Sequence, residues 1–144
     1  MPMTLSIRNQ LPGTVTAITS GEVMATVGIR LTGGQNLTAA ITKEAVTALG
    51  LAPDSPVRAL VKSTEVALAT SPVEALSGLS IRNQLPGTVT TIATGAAMAS
   101  VKIAFDDIEL TAAITKEAAT DLGLAPGTPV VALIKSTEVS LSTA

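Results

Sequence analysis

Residues 5–16 read LSIRNQLPGTVT, and residues 79–90 read the same twelve residues again. The echo continues: LTAAITKEA at 37–45 returns at 110–118, and KSTEV at 62–66 returns at 135–139. The offset is 74 residues before Thr32–Asn36 and 73 after it, so the second copy lacks one residue there. A repeat of this length is a small domain written twice, not a solenoid unit. The identities fall in blocks, and the blocks are where function is expected.

The boundaries implied are 1–70 for the first unit, 71–78 for a linker and 79–144 for the second unit. Units this small bury little core alone, so packing against each other or against further subunits follows. Hydrophobic residues make up 47% of the chain, but a single aromatic, Phe105, is among them, and His, Cys, Trp and Tyr are absent. Zinc and most transition metals therefore lose their preferred ligands. Nucleophilic triads built on His are impossible, and single-stranded nucleic acid finds almost no stacking platform. A net charge of −2 argues against nucleic acid or an anionic membrane as partner. No apolar run reaches the ~20 residues of a membrane span. With no export signal visible, the cytoplasm is the expected compartment.

Along one copy, Leu5–Arg8 alternates apolar and polar, Asn9–Gly13 supplies a bend, and Thr14–Thr19 alternates again. Val23–Leu31 reads as a strand with Val23, Ala25, Val27, Ile29 and Leu31 on one face. Gly33–Asn36 is a hairpin leading to Leu37–Ile41. TKEAVTALG at 42–50 is the exception: Thr42 suits an N-cap, Glu44 the first turn and Gly50 the C′ position, with Pro53 barring continuation. Pro56–Val61 is a strand, Lys62–Thr64 a turn, and Glu65–Ala69 a closing strand. The pattern predicts a mainly β protein, two tandem small antiparallel barrels each carrying one short helix.

Six of the nine Lys and Arg residues form repeat-matched pairs: Arg8 with Arg82, Lys43 with Lys116, Lys62 with Lys135. Arg30, Arg58 and Lys102 have no counterpart. Each matched cation stands beside hydroxyls, as in Ser6 with Arg8, Thr42 with Lys43, and Lys62 with Ser63 and Thr64. These segments offer donors to something negative, and a helix start adds unpaired N–H groups and the positive end of its dipole. Simpler readings stand beside this one. In them Thr42 is only a cap, Lys62 and Lys135 are only solvated turn residues, and Arg8 is the partner of Glu44 or Glu65. Against them, exposed charge has drifted freely elsewhere: Glu22 faces Ala96, Gly28 faces Lys102 and Arg30 faces Ala104.

SxRNQLxGxV near the start, ITxEA opening a helix and KSTEV near the end together resemble the Mop, or molybdopterin-binding-like, domain. Two such units in one chain are similar to the ModG-type di-domain molybdate-binding proteins. The resemblance covers residues ~4–70 and ~78–143 and implies OB-like barrels packed around a threefold axis. A di-domain chain would then form a homotrimer with pseudo-sixfold domain packing, holding oxyanions at interfaces between domains. One half-set carried over is Ser6 and Arg8, with Ser80 and Arg82. The other, from a neighbouring domain, is Thr42, Lys43, Ala45, Lys62 and Ser63, with Thr115, Lys116, Ala118, Lys135 and Ser136. Some relatives have Ser where Ala45 and Ala118 stand, which leaves only the backbone N–H as donor there.

The function implied is binding, storage and buffering of molybdate and tungstate, with no cofactor, no metal ligated directly by protein and no catalysis. The alternative is the ligand-sensing module of a molybdate-responsive regulator or transporter. No helix-turn-helix, basic groove or Walker loop supports that alternative. An enzyme is the weakest option, because only carboxylates and lysines could move protons.

Overall fold

A computed structural model describes residues 5–143. In the first copy the elements are β1 (Asn9–Ser20), β2 (Met24–Leu31), β3 (Asn36–Thr42), α1 (Lys43–Leu49), β4 (Pro56–Val61) and β5 (Ala67–Ala69). The second copy repeats them as β6 (Asn83–Thr94), β7 (Met98–Phe105), β8 (Ile108–Thr115), α2 (Lys116–Asp121), β9 (Pro129–Ile134) and β10 (Ser140–Ser142). A one-turn 3-10 helix, Ser63–Glu65 or Ser136–Glu138, precedes each short last strand, and another, Val73–Leu76, lies in the connection between copies.

The sheets do not respect the boundary between the repeats. Their strand orders are β10-β4-β1-β2-β3 and β5-β9-β6-β7-β8. Each barrel thus takes its last strand from the other copy: Leu68 pairs with Ala132, and Leu141 with Ala59. Glu65–Ala69 was expected to close its own barrel; the strand forms at Ala67–Ala69 but in the partner sheet. Both copies carry the same KSTEV approach, so nothing local tells the two destinations apart. One hydrophobic cluster runs through both barrels, from Leu11, Val27 and Ile29 to Leu85, Val101 and Ile103.

The expected bend at Asn9–Gly13 is instead curvature inside one continuous twelve-residue strand. Its first half pairs with β4 and its second half with β2, the two overlapping at Gly13 and Thr14. The backbone of β2 approaches so closely that a Cβ on Gly13 would lie 2.7 Å from the Arg30 carbonyl oxygen and 2.8 Å from Ile29 Cγ2. Glycine is required there by space. On β2, Ala25, Val27, Ile29 and Leu31 are buried as their alternation predicts. Val23 does not join them. It lies before the strand, 70% exposed. Helix α1 is punctuated as read: the Thr42 hydroxyl accepts from Ala45 N–H, and Gly50 adopts φ 63°.

Two buried asparagines join the barrels. Asn9 Nδ2 donates to the Thr111 carbonyl at 2.8 Å, and Thr111 N–H donates to Asn9 Oδ1 at 2.8 Å. Asn83 does the same to Thr38 in the first copy, again at 2.8 Å for both bonds. Each carboxamide acts as a one-residue strand on the edge of the other barrel. Asn9→Ala should therefore destabilise the fold by about 1–3 kcal/mol, since it strands buried backbone groups without partners. Chemical denaturation checks this, and an unchanged midpoint would contradict the structural role.

Candidate oxyanion-binding site

The β1–β4 register pairs Asn9 with Val61. One residue further along, the same antiparallel alignment brings Arg8 beside Lys62. Ser6, Ile7, Arg8, Lys62, Ser63 and Thr64 line a concavity of about 260 Å³ there. The register Asn83 to Ile134 sets Arg82 beside Lys135 in the second copy, with Ser80 and Ser136 on the same two segments. Like charges on neighbouring strands repel. No carboxylate lines the first-copy pocket. Lys102 and Glu109 form an ion pair on the surface at 4.0 Å, far from this pocket in the sequence and on other strands. The pairing of Arg8 with Glu44 or Glu65, weighed above, does not occur.

The RNQ block holds this arrangement in place. Arg8 Nη2 donates to the Leu5 carbonyl at 2.8 Å, and Gln10 Nε2 to the Ile7 carbonyl at 3.2 Å. Arg82 Nη1 bonds the Leu79 carbonyl at 3.3 Å, and Gln84 Nε2 bonds the Leu76 and Ile81 carbonyls at 3.0 and 3.1 Å. Segment 5–8 is thereby pinned with its guanidinium in a defined place. Across from it, Ser63 Oγ is shut off from solvent and has no hydrogen-bond partner. A buried hydroxyl in that condition costs stability unless a bound group satisfies it. The pocket thus offers two cations and several hydroxyls to a small anion.

The helix starts stand apart from this pocket. Thr42 and Lys43 border a different concavity of about 600 Å³ together with Glu22 and Glu44. Thr115 and Lys116 border its counterpart of about 530 Å³. The N–H of Lys43 is donated to the Val23 carbonyl and that of Lys116 to the Ala97 carbonyl, both at 2.8 Å. The N–H groups of Ala45 and Ala118 are given to the Thr42 and Thr115 hydroxyls at 3.1 Å. Within one chain, then, Lys62 and Ser63 keep company with Ser6 and Arg8, not with the helix start as the resemblance implied. The cause is topological. β4 pairs with β1, whereas α1 follows β3 at the far edge of the sheet. The Ser63–Glu65 turn packs against β8, so the pocket lies on the seam between barrels.

Asn9 and Asn83 are the residues that sequence reasoning passed over. Their one visible signal is identity inside the repeated block, beside the arginines. What they bind is the other barrel's edge, which no local pattern announces.

The paired barrels make a mainly β protein built from two fused copies of one unit, with a concavity lined by cations and hydroxyls whose chemistry suits a small anion. A family model of the TOBE domain matches residues 5–68 and 79–141, and the chain belongs to that family as a tandem, ModG-like Mop-domain protein. It is 39% identical over 143 residues to the molybdenum-pterin-binding protein MopA of Rhodobacter capsulatus, covering 99% of this chain and 53% of that protein. The chain thus spans about half the length of the longer curated relatives it matches. It is 39% identical over 64 residues to molybdenum-pterin-binding protein 2 of Clostridium pasteurianum, covering 44% of this chain and 94% of that one. Among solved structures, the cytoplasmic molybdate-binding protein ModG with molybdate bound superposes with a TM-score of 0.93 at 44% identity, over 99% of this chain and 100% of that one.

Ser63→Ala tests the pocket without any ligand. Because the hydroxyl is buried and unpartnered, the ligand-free variant should be as stable as the parent or slightly more so. A loss of more than ~1 kcal/mol in ligand-free thermal or chemical denaturation would mean that the hydroxyl is satisfied within the protein.

Proposed function

We propose that this protein binds, stores and buffers molybdate and tungstate. The observation that carries the reading is the juxtaposition of Arg8 and Lys62 in a pocket that no carboxylate lines. Molybdate and tungstate are tetrahedral dianions, fully deprotonated at neutral pH, so a site for them needs donors only. Arg, Lys and hydroxyl groups supply these. Phosphate is partly protonated near neutrality and is best served by a carboxylate acceptor, which does not line the first-copy pocket. Sulfate carries the same charge on a smaller frame, so discrimination against it rests on the size of the assembled cavity. The likeness to ModG, whose structure holds molybdate, supports the same ligand here.

The complete site in this reading is assembled between chains. Ser6, Arg8, Lys62 and Ser63 form one wall, and Ser80, Arg82, Lys135 and Ser136 its counterpart. Thr42, Lys43 and Ala45, with Thr115, Lys116 and Ala118, come from neighbouring chains of a homotrimer with pseudo-sixfold packing. Exposed Met24 and Met98, paired in register with Thr42 and Thr115, put apolar surface beside each helix start for such a contact. Binding requires no cofactor and no catalytic step.

Calorimetric titration with molybdate, tungstate, sulfate and phosphate side by side tests this reading. Strong heats with the first two and weak ones with the others are expected; absence of heat with molybdate would overturn the function. In the same assay Arg82→Ala should weaken binding by ~1.5–3 kcal/mol, the worth of a charge-assisted hydrogen bond. Arg30→Ala should leave it unchanged, since Arg30 lies outside the pocket. Equal damage from the two variants would show that the site is misplaced.

A further inference from the structure

Ser80 and Arg82 lie on a stretch that is neither helix nor strand: residues 77–82 separate the 3-10 helix Val73–Leu76 from β6. No sheet ladder fixes these two donors. Their place is set by a short circuit of hydrogen bonds. Leu79 N–H donates to the Leu76 carbonyl at 3.1 Å, and Arg82 Nη1 donates to the Leu79 carbonyl at 3.3 Å. Gln84 closes the circuit from the strand. Its Nε2 carries two protons and donates to the carbonyls of Leu76 at 3.0 Å and Ile81 at 3.1 Å.

Gln84 is itself well anchored. It is half-buried on β6 opposite Leu133 of β9, and Leu133 also pairs with Ala67 of the exchanged strand β5. One glutamine thus ties the connection between the copies to the residue just before Arg82. The guanidinium of Arg82 is held to Leu79, and Leu79 to the 3-10 turn that Gln84 grips. Releasing Leu76 would loosen Leu79 and, with it, Arg82. Arg82 is exposed and has many rotamers, so each tether lost adds to the ordering that anion capture must impose.

We propose that Gln84 is a positioning residue for the second oxyanion pocket, acting through the 3-10 turn of the connection. Residues 73–79 are then a working part of that pocket and not a passive linker. The proposal rests on the anion-binding reading of Ser80, Arg82, Lys135 and Ser136. Gln84 need not touch the anion. It sets where Ser80 and Arg82 stand before the anion arrives, so its loss weakens one pocket of the two.

The test compares the full chain with Gln84→Ala and with a variant carrying Gly-Gly inserted between Ser77 and Gly78. The insertion separates Leu79 from Leu76 and leaves Gln84 in place. In the ligand-free proteins, backbone amide order parameters should fall at residues 79–82 in both variants and stay unchanged at residues 5–8. Molybdate is then titrated and followed by the amide shifts of Ser80 and Arg82 against those of Ser6 and Arg8. Affinity at the second pocket should fall about fivefold or more in each variant, with the first pocket within about twofold of the parent. The two changes combined should cost little more than the larger one alone, because both cut the same circuit. Unaltered order at 79–82, or unaltered affinity at the second pocket, in Gln84→Ala would overturn the proposal. Equal weakening of both pockets would overturn it too, by reducing Gln84 to a general support of the fold, as would fully additive losses. A parent that binds no molybdate would sink the anion reading alone, with the order parameters still deciding whether Gln84 fixes the segment.

Discussion

The alignment of β1 with β4 forces two positive charges together. Asn9 lies opposite Val61, and the chain on either side of that pair delivers Arg8 and Lys62 to one place. Among the described residues no carboxylate lines their pocket, and the Ser63 hydroxyl beside them is buried without a partner. A protein selected for stability alone would put a carboxylate there. In the proposed reading a pocket rich in donors holds part of the binding free energy in reserve for an anion, and the same register brings Arg82 beside Lys135 in the second copy.

Exchange of β5 and β10 makes that arrangement rigid. Because each last strand crosses to the other sheet, the Lys62–Thr64 and Lys135–Thr137 turns become the crossover points between barrels. Asn9 and Asn83 fasten the opposite side of each crossover to β8 and β3. Every residue of the RNQ block then has a task. Arginine is tied to a carbonyl three residues back, asparagine bridges the barrels, and glutamine anchors the preceding loop. Identity of LSIRNQLPGTVT in both copies follows from geometry as much as from ligand chemistry, since Gly13 and Gly87 both sit where a Cβ would collide with the neighbouring strand.

Much of this was legible from residues alone, where the cause is local. Pro56–Val61 forms β4 with the bounds its pattern predicts, and Thr42 and Gly50 cap α1 because a hydroxyl acceptor and a left-handed backbone are local requirements. Alternation placed Ala25, Val27, Ile29 and Leu31 inside. Asn9–Gly13 reads as a bend from sequence because Pro-Gly serves both a turn and a curved barrel strand, and only the approach of β2 distinguishes them. The destination of β5 was invisible for a different reason. With KSTEV present in both copies, the two sheets accept either strand, and the choice is made by the whole chain. The grouping of Lys62 with Ser6 and Arg8, not with Thr42, likewise follows from pairing between distant strands.

The central claim is that the Arg8–Lys62 pair and its Arg82–Lys135 counterpart are the anion-holding walls of this protein. Anomalous diffraction at the molybdenum edge, from crystals grown with molybdate, tests it most directly. The account predicts molybdenum peaks within hydrogen-bond distance of Ser6, Arg8, Lys62 and Ser63, and at the equivalent place beside Ser80, Arg82, Lys135 and Ser136. Peaks confined to the helix starts, with both cation pairs left bare, would contradict it.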